Sequence, residues 1–225
     1  MAWEDGVFSL ILPFLLIELI LGGILMIITI GREFGSGGRE LGRRLSEELG
    51  IAYYDSEILT EIAKRTSLSE NYIKEIIEKK PYTSFPIHIG RSLHPMSSPI
   101  QEQTNIIYQE QSETIKDLAK KSDCVIVGRC ADYILRDEKP FRIFVYADMA
   151  HKIERCKQRA PEDEHLTEKG LINKIKSIDK NRKKYYDFYT GNDWGDRKNY
   201  DLLVNTSTLS VKQYAKSIAE MLKSL

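Results

Sequence analysis

The chain has 225 residues, 42% hydrophobic and 29% charged, with 33 basic side chains against 33 acidic ones. This suits one globular domain with enough chain for a core, and excludes a disordered or low-complexity polymer. A protein that lives on nucleic acid usually carries a basic excess, and a formal net charge of zero gives no reason to expect that partner.

The N-terminal stretch from Val7 to Ile30 is almost wholly apolar. Its length would allow a membrane-spanning helix of about 20 residues. However, it runs directly into Ile27–Ile30, a β-branched run that reads as a buried strand, and then into a glycine-rich loop. No linker remains between a bilayer and the sheet. Gly22-Gly23 lies just ahead of Met26, and codons for Gly-Gly can spell a ribosome-binding sequence. Residues 1–25 are therefore expected to be an apolar extension, either a mis-called start or an anchor. Residues 26–225 form the folded domain, expected to be cytoplasmic and monomeric.

From Met26 the elements alternate. Strand Ile27–Ile30 is followed by the glycine loop Gly31–Gly38 and a helix over 39–49, whose Leu41, Leu45 and Leu49 lie on one face at spacing four. Gly50 reads as its C-cap. A short strand, Ile51–Tyr54, leads to Asp55, which can cap a helix ending near Arg65. Ser69 is expected to cap a helix running to Lys80. Residues 81–99 carry Pro81, Pro86, Pro95 and Pro99, and read as a long functional loop. A long helix over 100–121, strands Cys124–Val127 and Phe141–Ala147, helices over 148–159 and 167–187, strand Leu202–Asn205 and a helix over 211–222 complete the chain. Strands separated by helices predict an α/β fold: a doubly wound parallel sheet covered on both faces, in three layers.

Cys124, Cys130 and Cys156 have no zinc spacing, and the four histidines do not cluster. Free thiols in a reducing compartment, and no protein-built metal centre, are the expectation.

The segment I-T-I-G-R-E-F-G-S-G-G-R-E-L joins a strand to a helix, with four glycines in eight residues. Backbone N–H groups can converge there on an anion, reinforced by the helix N-terminus. The usual G-x-x-x-x-G-K-[ST] pattern is altered, because Arg39-Glu40 takes the place of Lys-[ST]. Arg39 can supply the charge, Arg32 is a second candidate, and Glu40 can hold Mg²⁺ through water.

GREFGSGGRELGRRL, YYDSEIL, VIVGRCADYIL and DKNRKKYYDFYTGNDWGDRKNYDLLVNTS, in this order, together resemble the cytidylate-kinase-like family of P-loop proteins from Met26 to the C-terminus. The resemblance implies a P-loop kinase fold with a helical acceptor-binding and lid region. It also implies ATP and Mg²⁺ as cofactors and a nucleoside monophosphate such as CMP or dCMP as acceptor. Gly35, Ser36, Gly37, Gly38 and Arg39 fall on the phosphate loop. Asp55 falls where cytidylate kinases bind the monophosphate, and Arg129 of the Gly128-Arg129 pair is expected at the acceptor. Arg155 and Arg159 fall in the region of the lid arginines. Asp179 is expected to face the base or ribose, and Arg182 the phosphates. Val127 and Cys130 stand where cytidylate kinases have Asp, and the loop lysine is absent.

Phosphoryl transfer asks chiefly for positioning and charge neutralisation, which arginines on separate elements provide. A nucleotide-binding regulatory module that has lost turnover is the alternative. Arg43 and Arg44 read as surface ion-pair partners. The run Tyr185, Tyr186, Phe188, Tyr189 and Trp194 reads as packing or as a base-stacking surface. The start at Met26 is checked in the gene. A purine-rich GGAGG-like run is expected at the Gly22-Gly23 codons, and its absence removes the main support for that start.

Overall fold

The computed structural model describes residues 25–78, 99–159 and 166–224. The strands are β1 (Ile27–Arg32), β2 (Ala52–Tyr54), β3 (Cys124–Val127), β4 (Phe141–Tyr146) and β5 (Leu202–Asn205). The helices are α1 (Gly38–Leu49), α2 (Glu57–Thr66), α3 (Glu70–Glu78), α4 (Pro99–Ala119), α5 (Ala131–Ile134), α6 (Met149–Arg159), α7 (Glu168–Thr190) and α8 (Val211–Lys223). All strand pairings are parallel, in the order β2-β3-β1-β4-β5.

β1 is central because its first four residues are buried and rich in β-branched side chains, the pattern of a strand covered on both faces. Side chains alternate between two cores. Ile28, Ile30, Val125, Val127, Ile143 and Val145 pack with Leu41 and Leu45 of α1 and Val211 of α8. Ile27, Cys124 and Ile126 pack on the opposite side with Ile58 and Ile62 of α2 and Ile107 and Ile115 of α4. The expected three layers are present.

β3 and β5 have the bounds read from the sequence. β1 runs two residues further than expected, because Gly31 and Arg32 stay in register with Phe144 and Val145 of β4. That extension carries Arg32 to the carboxyl edge of the sheet. Helix α1 lies close on the strands at Gly42, where a Cβ would stand 2.8 Å from Val127 Cγ2 and 3.1 Å from Ile30 Cδ1. Gly50 caps α1 as expected, and Ser69 Oγ accepts from Tyr72 N–H at the start of α3.

Asp55 does not cap α2. The N-cap is Ser56, which makes no capping bond, and the Asp55 carboxylate turns to arginines instead. Pro99, expected to end a loop, opens α4, where its missing N–H costs nothing. The rest of that loop and the apolar extension before Met26, apart from Leu25, lie outside the described residues. A short helix, α5, and a 3₁₀ turn over Arg136–Glu138 were not anticipated. The three cysteines are free. No helix among the described residues is long and apolar enough to cross a membrane.

Substituting Gly42→Val forces α1 away from β1 and β3. Overpacking of this kind costs about 1–3 kcal/mol, so urea unfolding is expected to show a lower midpoint with an unchanged slope.

Candidate active site

The loop between β1 and α1 is held from behind by side chains distant in sequence. Ser36 is fully buried, and its hydroxyl donates to the Glu33 carbonyl at 2.8 Å. Thr206, just after β5, donates to the Ser36 carbonyl at 2.6 Å. Arg155 of α6 donates through Nη1 to the Gly35 carbonyl at 2.8 Å and through Nη2 to the Thr206 carbonyl at 3.3 Å. Gly37 takes a left-handed φ of 83° immediately before α1, a conformation glycine adopts without a Cβ penalty.

A second set of contacts lies behind Phe34. Asp179 of α7 accepts from Phe34 N–H at 2.6 Å. Lys152 of α6, only 6% exposed, places Nζ 2.6 Å from Glu33 and 3.5 Å from Asp179. Burial lifts the Asp179 carboxyl above the usual range, with the Phe34 N–H and Lys152 opposing the shift. Asp179 thus braces the loop and is not among the residues that line the cavity beside it. Ser36 is likewise absent from the cavity lining, its N–H donating to the Glu33 carbonyl and its own carbonyl accepting from Thr206.

In front of the loop, guanidinium groups gather. Arg39 Nε lies 2.5 Å from Asp55, and Arg32 Nη2 lies 3.9 Å from the same carboxylate. Arg182 donates to the Arg32 carbonyl at 3.2 Å and sits 5.7 Å from the Phe34 ring centroid. Arg129 occupies a run of left-handed residues, with φ of 74°, 61° and 54° at Gly128, Arg129 and Cys130. Such backbone costs on the order of 1–3 kcal/mol at a non-glycine residue, and Gln111 helps fix it by donating to the Arg129 carbonyl at 3.0 Å. The Arg32 guanidinium is pushed down to about 9 by burial first, then by the nearby Arg182, Arg129 and Arg39, with Asp55 opposing.

Arg32, Gly35, Gly37, Gly38, Arg39 and Asp55 line one cavity of about 1110 Å³, together with Arg129, Arg155, Arg159 and Arg182. The structure thus brings every arginine singled out for function into one space. Arg155 also grips the loop itself. Glu40 stands apart from the cavity lining, because Arg44 Nε holds it at 2.8 Å and Arg159 contacts it as well. Burial works to raise that carboxyl, but Arg44 and Arg159 keep it below the usual range. Arg43 pairs with Glu47 on the surface, as expected.

The aromatic run mainly packs. Tyr185 and Tyr186 are buried, Tyr189 stacks on Tyr108 at 3.8 Å and Trp194 meets Phe144 edge-on. Tyr185, Tyr186 and Trp194 also form part of the cavity wall. Among the described residues no three His, Cys, Asp or Glu side chains gather to hold a metal ion.

Sequence reasoning passed over Lys152, Thr206, Gln111 and the α3 residues Asn71 and Lys74 that reach the cavity. Lys152 carried a signal, since it shares a helical stripe with Arg155 and Arg159. Thr206 and Gln111 carried none, because their partners lie 170 and 18 positions away.

Removing Lys152 leaves Glu33 and Asp179 without their shared cation. Lys152→Met is expected to destabilise the fold by about 1–3 kcal/mol at neutral pH, since both carboxylates are partly exposed and keep other partners. Its loss raises the folded-state affinity of Asp179 for a proton further above that of the unfolded chain. Stability linked to that group is present at low pH and is lost as pH rises through its folded value. Denaturant unfolding at several pH values is expected to show a smaller deficit in acid than at neutral pH.

The sequence profile of the cytidylate kinase-like family matches residues 27–208. Cytidylate kinase of Pyrococcus horikoshii is 26% identical over 187 residues, covering 82% of this chain and 82% of that one. Cytidylate kinase of Aeropyrum pernix is 26% identical over 186 residues, covering 83% and 92%. An uncharacterised protein from Eubacterium ventriosum superimposes with a TM-score of 0.65 at 30% identity, covering 89% of this chain and 99% of that one. Shikimate kinase from Bacteroides thetaiotaomicron superimposes with a TM-score of 0.52 at 12% identity over 88% and 99%, a likeness of fold. A five-stranded parallel sheet with a glycine loop at its carboxyl edge, matched by this profile over most of its length, belongs to the cytidylate kinase-like family.

Proposed function

We propose that the chain transfers the γ-phosphoryl group of ATP to a nucleoside monophosphate, CMP or dCMP. The observation that carries this reading is the convergence of guanidinium groups from β1, α1, the β3–α5 turn and α7 on one cavity beside the glycine loop. Two phosphorylated substrates brought together carry several negative charges, and arginine grips phosphate in a bidentate fork. The cavity lies at the carboxyl edge of the sheet, where open α/β sheets bind ligands. Its volume of about 1110 Å³ exceeds the usual range of about 300–1,000 Å³ for one ligand, leaving room for donor and acceptor together. The cytidylate kinases of Pyrococcus horikoshii and Aeropyrum pernix support a cytidine acceptor.

In this reading the amides of Gly35–Gly38 and Arg39 hold the donor phosphates. Arg129 and Arg182 hold the acceptor phosphate, Asp55 orients the acceptor side, and Arg155 and Arg159 close the donor side. Asp179 acts through the loop. An acceptor phosphate oxygen forms a bond to Pγ. The bond from Pγ to the β–γ bridging oxygen breaks, its electron pair leaves with ADP, and a nucleoside diphosphate results. Mg²⁺ would neutralise the donor phosphates. It fits here as an ion carried largely by the nucleotide, since no three metal-binding side chains gather among the described residues and Glu40 is held by two arginines.

ADP release from the full-length chain, followed in a coupled assay with ATP, Mg²⁺ and each nucleoside monophosphate, tests the reading. Turnover with CMP or dCMP on the order of 1–100 s⁻¹ is expected. Arg129→Ala is expected to lower it about 100-fold or more while leaving the circular dichroism unchanged. A folded protein that binds ATP but releases no ADP with any acceptor would instead be a regulatory nucleotide-binding module.

A further inference from the structure

The altered glycine loop raises a physical question: which cation replaces the absent lysine? Arg39 turns across the cavity to Asp55. Arg32 follows a different course. A Cβ placed on Gly38, the first residue of α1, would lie 2.5 Å from Arg32 Cβ and 3.1 Å from Arg32 Cγ. The stem of Arg32 therefore fills the space into which a side chain at position 38 would project. A Cβ placed on Gly128 would lie 1.5 Å from Arg32 Nη1 and 2.5 Å from Cζ. The guanidinium rests against the bare backbone of the β3–α5 turn. Two glycines on separate elements thus leave room for a single arginine.

The placement spans the site. Arg32 ends β1, in register with Val145. Its stem lies under the start of α1, and its head lies beside the turn that carries Arg129. It is 16% exposed, so it is shielded from solvent but still opens on the cavity. Burial and the neighbouring Arg182, Arg129 and Arg39 disfavour its charge, and Asp55 only partly offsets them. An arginine selected for structure alone gains nothing from such neighbours, whereas a polyanion in the cavity relieves all four at once.

We infer that Arg32 takes the place of the missing loop lysine and bridges donor and acceptor phosphates. This inference rests on the phosphoryl-transfer reading above. As the acceptor oxygen bonds to Pγ and the bond to the bridging oxygen breaks toward ADP, Arg32 holds the equatorial oxygens of the group in transit.

The test is a charge swap. Arg32→Met keeps the stem and removes the charge. It is expected to lower kcat with the monophosphate acceptor about 100-fold or more, without lowering the melting temperature of the nucleotide-free protein. Arg32→Gly clears the space over position 38, and Arg32→Gly/Gly38→Lys returns a cation from the other side. The double variant is expected to regain at least about tenfold in kcat over Arg32→Gly, within the range one such charge supplies. Arg32→Met within about threefold of wild type would overturn the inference. So would a folded double variant no more active than Arg32→Gly. If the wild type itself turns over no acceptor, the proposed function fails and ATP titration decides the role of Arg32. Affinity weakened about tenfold in Arg32→Met and recovered in the swap sustains it as the loop cation, while unchanged affinity overturns it.

Discussion

Guanidinium groups repel one another, and the carboxyl edge of this sheet assembles several of them around one buried carboxylate. Asp55 is 5% exposed and faces both Arg39 and Arg32. Attraction over such distances is several-fold stronger in a partly desolvated site than in water, so Asp55 keeps the cluster together before any ligand arrives. Strand order explains how it reaches them. β2 lies beside β3, with Tyr54 opposite Ile126, and β3 lies beside β1, with Val127 opposite Ile30. The residues after these pairs, Asp55, Gly128 and Gly31-Arg32, therefore emerge together.

The loop is fixed by the same logic applied from behind. Lys152, Asp179, Arg155 and Thr206 come from α6, α7 and the end of β5, and each binds a backbone or charged group of Glu33–Ser36. Phe34 adds an apolar anchor in a small cluster with Ile153, Leu171 and Ile175. A loop tied at this many points holds its backbone dipoles in one orientation. The ionic triad of Glu33, Asp179 and the buried Lys152 is a poor source of net stability compared with apolar packing. Its value lies in a single loop geometry.

The aromatic residues of α7 connect this site to the core. Tyr186 donates to Asp132 at 2.6 Å, and burial lifts the Asp132 carboxyl above its ordinary range despite that bond. Tyr185 packs among Tyr108 and Tyr189. The cavity wall on that side is thus the outer surface of a packed aromatic layer. The two readings of the aromatic run are compatible in space, because packing fixes the rings whose surfaces line the cavity.

Local chemistry made the layers, most strand bounds and the glycine loop legible in the sequence. β-branched runs bury as strands, leucines at spacing four cover a sheet, and glycines between a strand and a helix allow a tight anion-binding turn. Arg32, Arg39, Arg129, Arg155, Arg159 and Arg182 were legible as a set by their places at strand ends and on the helices that follow. Their division of labour was not. Asp179 also braces the loop, Asp55 serves as counter-charge and not as helix cap, and Lys152 enters as the loop's buried cation, because each depends on which side chain lies opposite after the sheet has assembled. Arg32 is the clearest case. Its neighbours in sequence say nothing of Gly38 and Gly128 as two walls of one channel, since spacing along the chain encodes local periodicity. Competition for the same few cubic ångströms arises only when distant segments are packed together.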